Sequence, residues 1–436
     1  LVKKYIGKDW LRAQSLPLPG MKAHSTLIQE LFRREFSKMV AVIGNRFGLE
    51  YLDVAEDIVS DTFLKAAETW AARGLPPNPE AWLYAVAKQK MLYHLRRNKI
   101  LRDKVLPHIA AFQPAMTENE EMDFSGAHIQ DSQLRMMFAV CDPAIASEAQ
   151  IALALRVLAG FGIEEIAEAF LTSKETINKR LYRAREKLRR EKISLEMPSE
   201  RQIAERVESV LRILYLMFNE GYYSATQNEI LRKDFCLEAM RLATLLTTYK
   251  LTDLPETNAL LALMCFHASR FGARYTQEGG YILYDDQNES LWDQDLIRRG
   301  TWFLDRSATG KAFSSYHLEA GIAFWHSRKE DTPEKWENIL RYYDLLLQIN
   351  ETPAVRLNRA YALFKVKGRE KALQEAEQLP LTGNPFYHML LGELYRGEDH
   401  SAAEREFSLA RAFARTEADR LMIGKKIDAL HKDSKN

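Results

Sequence analysis

Cysteine is scarce in this chain. Cys141, Cys236 and Cys265 are the only three in 436 residues, too few and too scattered for a disulfide framework or a thiolate metal site. Long apolar runs are missing too; none approaches the ~18–20 residues that span a bilayer. Where a signal peptide would be apolar, the N-terminus mixes Lys3, Lys4, Lys8, Asp9 and Arg12. There is no glycine-rich phosphate loop and no His-Glu-x-x-His pair, which removes two common nucleotide- and zinc-dependent chemistries. Nor does one sign of charge dominate: 61 Lys+Arg stand against 60 Asp+Glu, a formal net charge of +1. Spread evenly, that balance would argue against a nucleic-acid partner. What is present is ordinary globular material, 46% hydrophobic and 28% charged. At ~100–200 residues per domain it is enough for several domains with cores of their own.

The charge is not spread evenly. From Lys88 to Lys104, seven basic residues face the single acid Asp103, a local +6. From Leu171 to Ile193, nine basic residues face Glu175, Glu186 and Glu191, again +6. Setting both windows aside leaves −11 on the rest of the chain. Clustered Lys and Arg are the footprint of phosphate binding, because they release counterions from a nucleic-acid backbone. A solvated helix face would give either cluster alone; two of them point to nucleic acid.

Hydrophobic periodicity is helical almost throughout and predicts an all-α protein. Residues 1–24, with Ser15-Leu-Pro-Leu-Pro-Gly20 ahead of Met21, lack a helical period and read as a leader before a start at Met21. A first domain is expected over 25–105, with helices near Asp53–Trp70 and Glu80–Asn98 separated by the proline-broken loop 73–80. Residues 106–131, with Pro107, Pro114 and the acids of 118–123, read as an acidic linker. A second domain is expected over 132–195, then a long helical region over 196–330 interrupted at 278–286, where a hairpin or ordered loop would fit. Over 331–436, Thr352-Pro353, Asn384-Pro385 and Thr416-Glu417 open helices at intervals of 32 residues and the same again, with Ala360 in phase with Gly392 and Ala372 close to phase with Ala403. That period, with small residues where helices cross, is similar to the tetratricopeptide repeat; a generic helical bundle is the alternative.

The second basic window contains a short amphipathic helix, Ile163 to Phe170, and a tight turn at Leu171-Thr172. A longer helix follows, with the single apolar stripe Ile177, Leu181, Ala184 and Leu188. Thr172 with Glu175 fits a capping box. This is a helix-turn-helix, whose second helix offers its N-terminal residues to base edges in the major groove. Lys174, Glu175, Thr176, Asn178 and Lys179 occupy those positions, and the later arginines suit phosphates.

The first window runs from Ala81 to Arg97, with an apolar stripe of Leu83, Val86, Ala87, Met91 and Leu95. Its other side interleaves Tyr84, Lys88, Gln89, Tyr93, Arg96 and Arg97. Rings for stacking and cations for the backbone suit single-stranded or melting DNA. Trp70 and Trp82 serve equally well as core.

Taken with Asp57-Ile-Val-Ser-Asp61-Thr-Phe63, these motifs resemble, in order and spacing over about residues 25–192, a bacterial extracytoplasmic-function RNA polymerase sigma factor. The remainder is similar to the long C-terminal extension of one sigma subgroup, including Leu214-Tyr-Leu-Met-Phe-Asn-Glu-Gly-Tyr222, Glu278-Gly279-Gly280 and Asn358-Arg-Ala360. The resemblance implies two small helical sigma domains joined by a linker, with tetratricopeptide-like repeats at the end. It implies a cytoplasmic bacterial protein, nucleoid-associated on polymerase, with no catalysis, no metal and no cofactor. Its partners would be promoter DNA and core RNA polymerase, through the β′ clamp helices and the β flap. Asp57, Asp61 and Phe63 would meet the clamp helices, with Ser60 where glutamine is usual. Lys88, Gln89, Tyr93, Arg96 and Arg97 would lie along the −10 element, and the loop 74–79 would capture an extruded base. Lys174, Glu175, Thr176, Asn178, Lys179, Arg180 and Arg183 would read the −35 element. The acidic linker would thread the polymerase channel, and the extension would regulate the two DNA-binding domains, through intramolecular contact with them.

Two other classes compete. Asp285, Asp286, Glu289, Asp293 and Asp295 with His267 can be drawn as a carboxylate metal site, although their spacing fits no coherent ligand set; solvated loop acids explain them more simply. A helix-turn-helix regulator carrying a helical-repeat scaffold would bind a palindromic operator without polymerase, which a gel shift distinguishes.

Overall fold

A computed structural model describes residues 19–105, 125–170, 172–191, 193, 195–222, 229–274, 282, 284–309, 313–414 and 417–433. Every regular element among them is helical. The chain divides into two compact units, Leu1–Ile213 and Leu214–Asn436.

The first unit opens with α1 (Pro19–Phe47), α2 (Leu52–Arg73) and α3 (Pro79–Val105). α1 begins inside the expected leader, whose residues 1–18 lie outside the described set. Phe36, Met39, Val40 and Ile43 of α1, Val59, Phe63 and Ala66 of α2, and Leu83, Ala87 and Met91 of α3 are buried. Their spacings of three and four residues put each set on one helical face. Trp70 is 1% exposed and meets Trp82 edge-on at 5.4 Å, so this pair belongs to the core. At the break after α2, Gly74 takes φ +79, a conformation that only glycine adopts cheaply. Its amide donates to the carbonyl of Trp70.

α4 (Gly126–Val140) starts inside the span expected to be linker, capped by the Ser125 hydroxyl on the His128 amide. The acids of 118–123 lie outside the described residues. Residues Met136 to Cys141 are all buried, which a helix tolerates only when it is covered on every side. One cover is α1: a Cβ on Gly44 would stand 2.8 Å from the Met136 methyl. Another is the first half of α8 (Glu200–Tyr222), where Ser209 donates to the Cys141 carbonyl at 2.9 Å and Arg206 pairs with Asp142 at 3.1 Å. The two sigma-like segments, joined by the linker, thus fall within one compact unit.

α5 (Ser147–Val157), α6 (Ile163–Ala169) and α7 (Lys174–Arg190) complete this unit. The Glu165 carboxylate reaches back to the Gly162 amide at 2.7 Å and starts α6.

The second unit centres on α10 (Pro255–Ala268), buried on all sides from Thr257 to Phe266, with α9 (Glu229–Leu246) beside it. α11 (Gln294–Ser307) and α12 (Ser315–His326) pack on α10. Gly300 makes the first contact feasible, since a Cβ there would lie 2.8 Å from the Phe266 ring. No strand forms among the described residues of 278–286; Tyr284–Asp286 is a single 3-10 turn, and 278–281 and 283 lie outside them.

Six further helices follow: α13 (Pro333–Ile349), α14 (Pro353–Lys367), α15 (Arg369–Ala376), α16 (Pro385–Tyr395), α17 (His400–Phe413) and α18 (Glu417–Asp433). The cap-plus-proline signal is real: Thr352 accepts from the Val355 amide and Asn384 from the Phe386 amide, each with proline in the first turn. Thr332-Pro333 opens α13 in the same way. Ala360, Ala372 and Ala403 are fully buried, and a Cβ on Gly392 would sit 2.5 Å from the Phe407 ring. Lys335 is buried as well, donating to the Tyr284 hydroxyl at 3.0 Å and the Arg328 carbonyl at 2.7 Å.

Candidate nucleic-acid interface

α6, the turn and α7 form the helix-turn-helix. Ile177, Leu181, Ala184 and Leu188 are all buried, at 2% exposure or less. That stripe fixes which side of α7 faces out. The helix begins one residue later than its capping pattern suggested: Ser173 is the cap, its hydroxyl accepting from the Thr176 amide at 3.2 Å, and Lys174 is the first helical residue. Glu175 sits in the first turn. Its carboxyl is held below the ordinary value by its own backbone amide and by the Ser173 hydroxyl, so it stays ionised where the helix dipole favours an anion.

Of the residues expected to read DNA, Lys174, Glu175, Asn178, Lys179 and Arg183 are exposed, and Thr176 is half-buried against Ser173. Lys174 pairs with Glu164 across the turn. Arg180 behaves differently. Its guanidinium lies 2.8 Å from Glu148 of α5 and 5.7 Å over the Phe170 ring, so it ties the motif together as it stands.

On α3, Gln89, Tyr93, Arg96 and Arg97 are exposed and Lys88 is half-buried. Tyr93 is 69% exposed, an aromatic left in solvent between cations. Tyr84 turns inward instead, its hydroxyl donating to Glu35 of α1 at 2.5 Å. Burial alone would raise the Glu35 carboxyl, but hydrogen bonds from Tyr84, Lys38 and Arg34 outweigh it and hold the group low. A buried anion thus fixes the roll of the helix that carries Tyr93.

Asp57 and Asp61 of α2 are exposed, and Asp61 lies 3.4 Å from Lys90 of α3. Phe63 is not on that surface. It is 4% exposed and meets Phe32 edge-on at 5.0 Å, so it supports the helix from beneath and offers a partner nothing to touch.

Sequence reasoning missed a second acidic pair on α2. Asp53 and Glu56 bind arginines of α5 and α7 a hundred or more residues away, with Arg156 at 2.8 Å from Glu56 and Arg185 at 2.9 Å from Asp53. No local spacing signals such a contact.

The carboxylates drawn as a metal site have other work. Asp293 caps α11 and Asp295 pairs with Arg298. The His267 ring lies tilted against Tyr222 at 4.7 Å, and desolvation with Arg270, Arg274 and His326 holds it well below its ordinary value. Arg270 and Arg274 beside it are cations rather than fellow ligands. Among the described residues no group of three His, Cys, Asp or Glu is placed to hold a metal, and no helix is long and apolar enough to cross a membrane.

Comparison with known proteins places family matches on these same segments. Residues 32–100 match Sigma-70 region 2, and residues 146–188 match Sigma-70, region 4. Residues 206–308 match a family of unknown function, DUF6596. The chain is 33% identical over 386 residues to a Rhizobium meliloti protein, strain 1021, named uncharacterized protein R00370; the alignment covers 87% of this chain and 90% of that protein. No solved structure matches.

Proposed function

The chain belongs to one family with the Rhizobium meliloti protein and carries sigma-70 regions 2 and 4, and from that premise we propose that it is an extracytoplasmic-function-type RNA polymerase sigma factor. It directs core polymerase to promoters and does no chemistry of its own. The observation that carries this reading is the pairing of two basic helices on two matched segments. α3 presents Lys88, Gln89, Tyr93, Arg96 and Arg97, suited to melted −10 DNA. α7 presents Lys174, Glu175, Asn178, Lys179 and Arg183, suited to the −35 major groove.

On this reading Asp57 and Asp61 meet the polymerase clamp helices, and Phe63 keeps α2 straight behind them. Arg180 stiffens the motif through Glu148 and reaches DNA only if that pair opens. The loop around Gly74 and the exposed Leu75 offers an extruded base a place to lodge.

The extension from Leu214 onward regulates the two DNA-binding domains, in this proposal by contact with them or by supporting their seating on polymerase. Its terminal helices act as tetratricopeptide-like repeats, supported by the caps at Thr352 and Asn384 and the small residues at their crossings. Run-off transcription with core polymerase, on a promoter recovered by genomic binding, tests both layers. Full-length protein is compared with a chain ending at Ile213, since a cut at Lys192 would strip the half of α8 that packs on Cys141 and Asp142. Absence of promoter-directed transcription from either chain removes the sigma reading. Equal transcription from both removes the regulatory one. A helix-turn-helix regulator, by contrast, would bind its site fully without polymerase.

A further inference from the structure

α7 carries more cations than its base-facing end requires. Asn178 and Arg185 are seven residues apart and Arg189 follows four later, spacings that return to nearly the same side of a helix. A duplex lying along that stripe from Asn178 would meet Arg185 and Arg189 with its phosphates. The upstream residues face solvent; downstream, Arg185 is half-buried and Arg189, though exposed, is held by a carboxylate of another helix.

Arg185 Nη1 lies 2.9 Å from Asp53, and Nη2 pairs with Glu56. Arg189 Nη2 lies 3.2 Å from the second Asp53 oxygen. Arg156 of α5 completes the set. Its Nε is 2.8 Å from the second Glu56 oxygen, Nη1 donates to the Phe161 carbonyl, and the guanidinium stands 5.1 Å over the Phe36 ring. A separate pair, Arg33 with Glu165 at 3.3 Å, joins α1 to α6.

Carboxylate and phosphate oxygens engage the guanidinium fork in the same way. An arginine held by both α2 carboxylates cannot hold a DNA phosphate at the same time. Glu56 is only 6% exposed, so its pairing is little screened, and stripping the arginines away would leave a buried charge. The Arg185 Nε is buried without an acceptor, so the contact satisfies this arginine incompletely.

Resting on the sigma reading, we propose that Asp53 and Glu56 are built-in phosphate mimics that keep the second half of α7 closed against DNA. Opening exchanges these carboxylates for DNA phosphates on Arg185 and Arg189. The trigger lies on the same helix. Asp57 and Asp61 follow Asp53 by one and two turns, so a partner seated on that face competes with α7 for α2.

The test uses the full chain with Asp53→Cys and Arg189→Cys, joined by a short bis-maleimide; the three native cysteines are buried. The joined protein should bind promoter duplex about tenfold more weakly than the same variant left unjoined, and should lose run-off transcription with core polymerase. In a second arm, Asp53→Asn with Glu56→Gln keeps the side-chain shapes and removes the charges. It should bind the duplex about tenfold more tightly than the parent without polymerase. Equal binding and transcription by joined and unjoined forms overturns the proposal, as does failure of the two cysteines to be joined in the free protein. Unchanged duplex affinity in a folded Asp53→Asn, Glu56→Gln variant does the same; if that variant does not fold, the cross-link decides. Loss of the sigma reading has a different signature, namely no promoter-directed transcription from the parent itself.

Discussion

Two helices of this protein sit in windows of the same formal charge, +6 each, and use it in opposite ways. α3 turns Tyr93, Arg96 and Arg97 into solvent and anchors itself through Leu83, Ala87 and Met91 and through Tyr84 on Glu35. α7 anchors through a four-residue apolar stripe, yet commits Arg180, Arg185 and Arg189 to carboxylates of other helices. Counting charge along a sequence measures what a helix owns; burial and pairing decide what it can lend to a ligand. α3 is poised for bases that come to it. α7 leaves Asn178, Lys179 and Arg183 in solvent and holds Arg185 and Arg189 on carboxylates of another helix.

The comparison breaks most sharply at the anchors. Leu181→Ala empties a site that is 2% exposed beneath α7, and its expected cost is about 3 kcal/mol of unfolding free energy. Loss of duplex binding should accompany it, because the stripe alone sets which face turns outward. A melt showing less than a third of that cost would mean α7 is held mainly by its ion pairs.

Next in size is Glu35→Gln, which keeps the shape but gives up an ionised acceptor of three hydrogen bonds. About 2 kcal/mol is expected at neutral pH. The pH dependence has a definite sign. The native Glu35 carboxyl titrates below its ordinary value, so its contribution is present above that value and is lost as pH falls through the native one. The parent should therefore lose stability on acidification through a component that Glu35→Gln lacks. Parallel acid limbs for the two proteins would show that Glu35 is not the group.

Tyr93 and Tyr182 put the difference between the helices on a single side chain each. Both are exposed, at 69% and 62%. Tyr93→Ala should weaken binding of a single-stranded −10 oligonucleotide in the holoenzyme by about 1.5 kcal/mol, the scale of one lost stacking partner. Tyr182→Ala should leave that binding unchanged. Equal losses would mean that α3 is not special for melted DNA.

What was legible in the sequence was what neighbours in sequence decide. The stripe Ile177-Leu181-Ala184-Leu188, the proline break at 73–80 and the caps at Thr352 and Asn384 each follow from residues a few positions apart. What was not legible depends on residues far apart. Phe63 is apolar in a motif expected at a surface, and only the packing of Phe32 against it shows that it faces inward. Arg180 and Arg185 look identical in sequence to Arg183; the carboxylates that occupy them come from Glu148, Asp53 and Glu56. The burial of Met136 to Cys141 was hidden in the same way, because nothing local there announces that α1 packs on Met136.

The smallest expected effect concerns the start of α7, where adjacent hydroxyls compete for one role. Thr172 with Glu175 fits the capping pattern by sequence, but the Ser173 hydroxyl makes the bond to the Thr176 amide. An N-cap hydroxyl is worth about 1 kcal/mol, whereas a turn hydroxyl without that bond is worth a few tenths at most. Ser173→Ala should thus destabilise the protein by about 1 kcal/mol, and Thr172→Ala should change little. The same ranking should appear in −35 duplex binding, since fraying the first turn disorders Lys174, Asn178 and Lys179 before they meet a base. The opposite ranking in chemical denaturation would move the helix start back to the threonine. It would add Ser173 to the first turn, while the buried stripe of Ile177, Leu181, Ala184 and Leu188 keeps Asn178 facing outward.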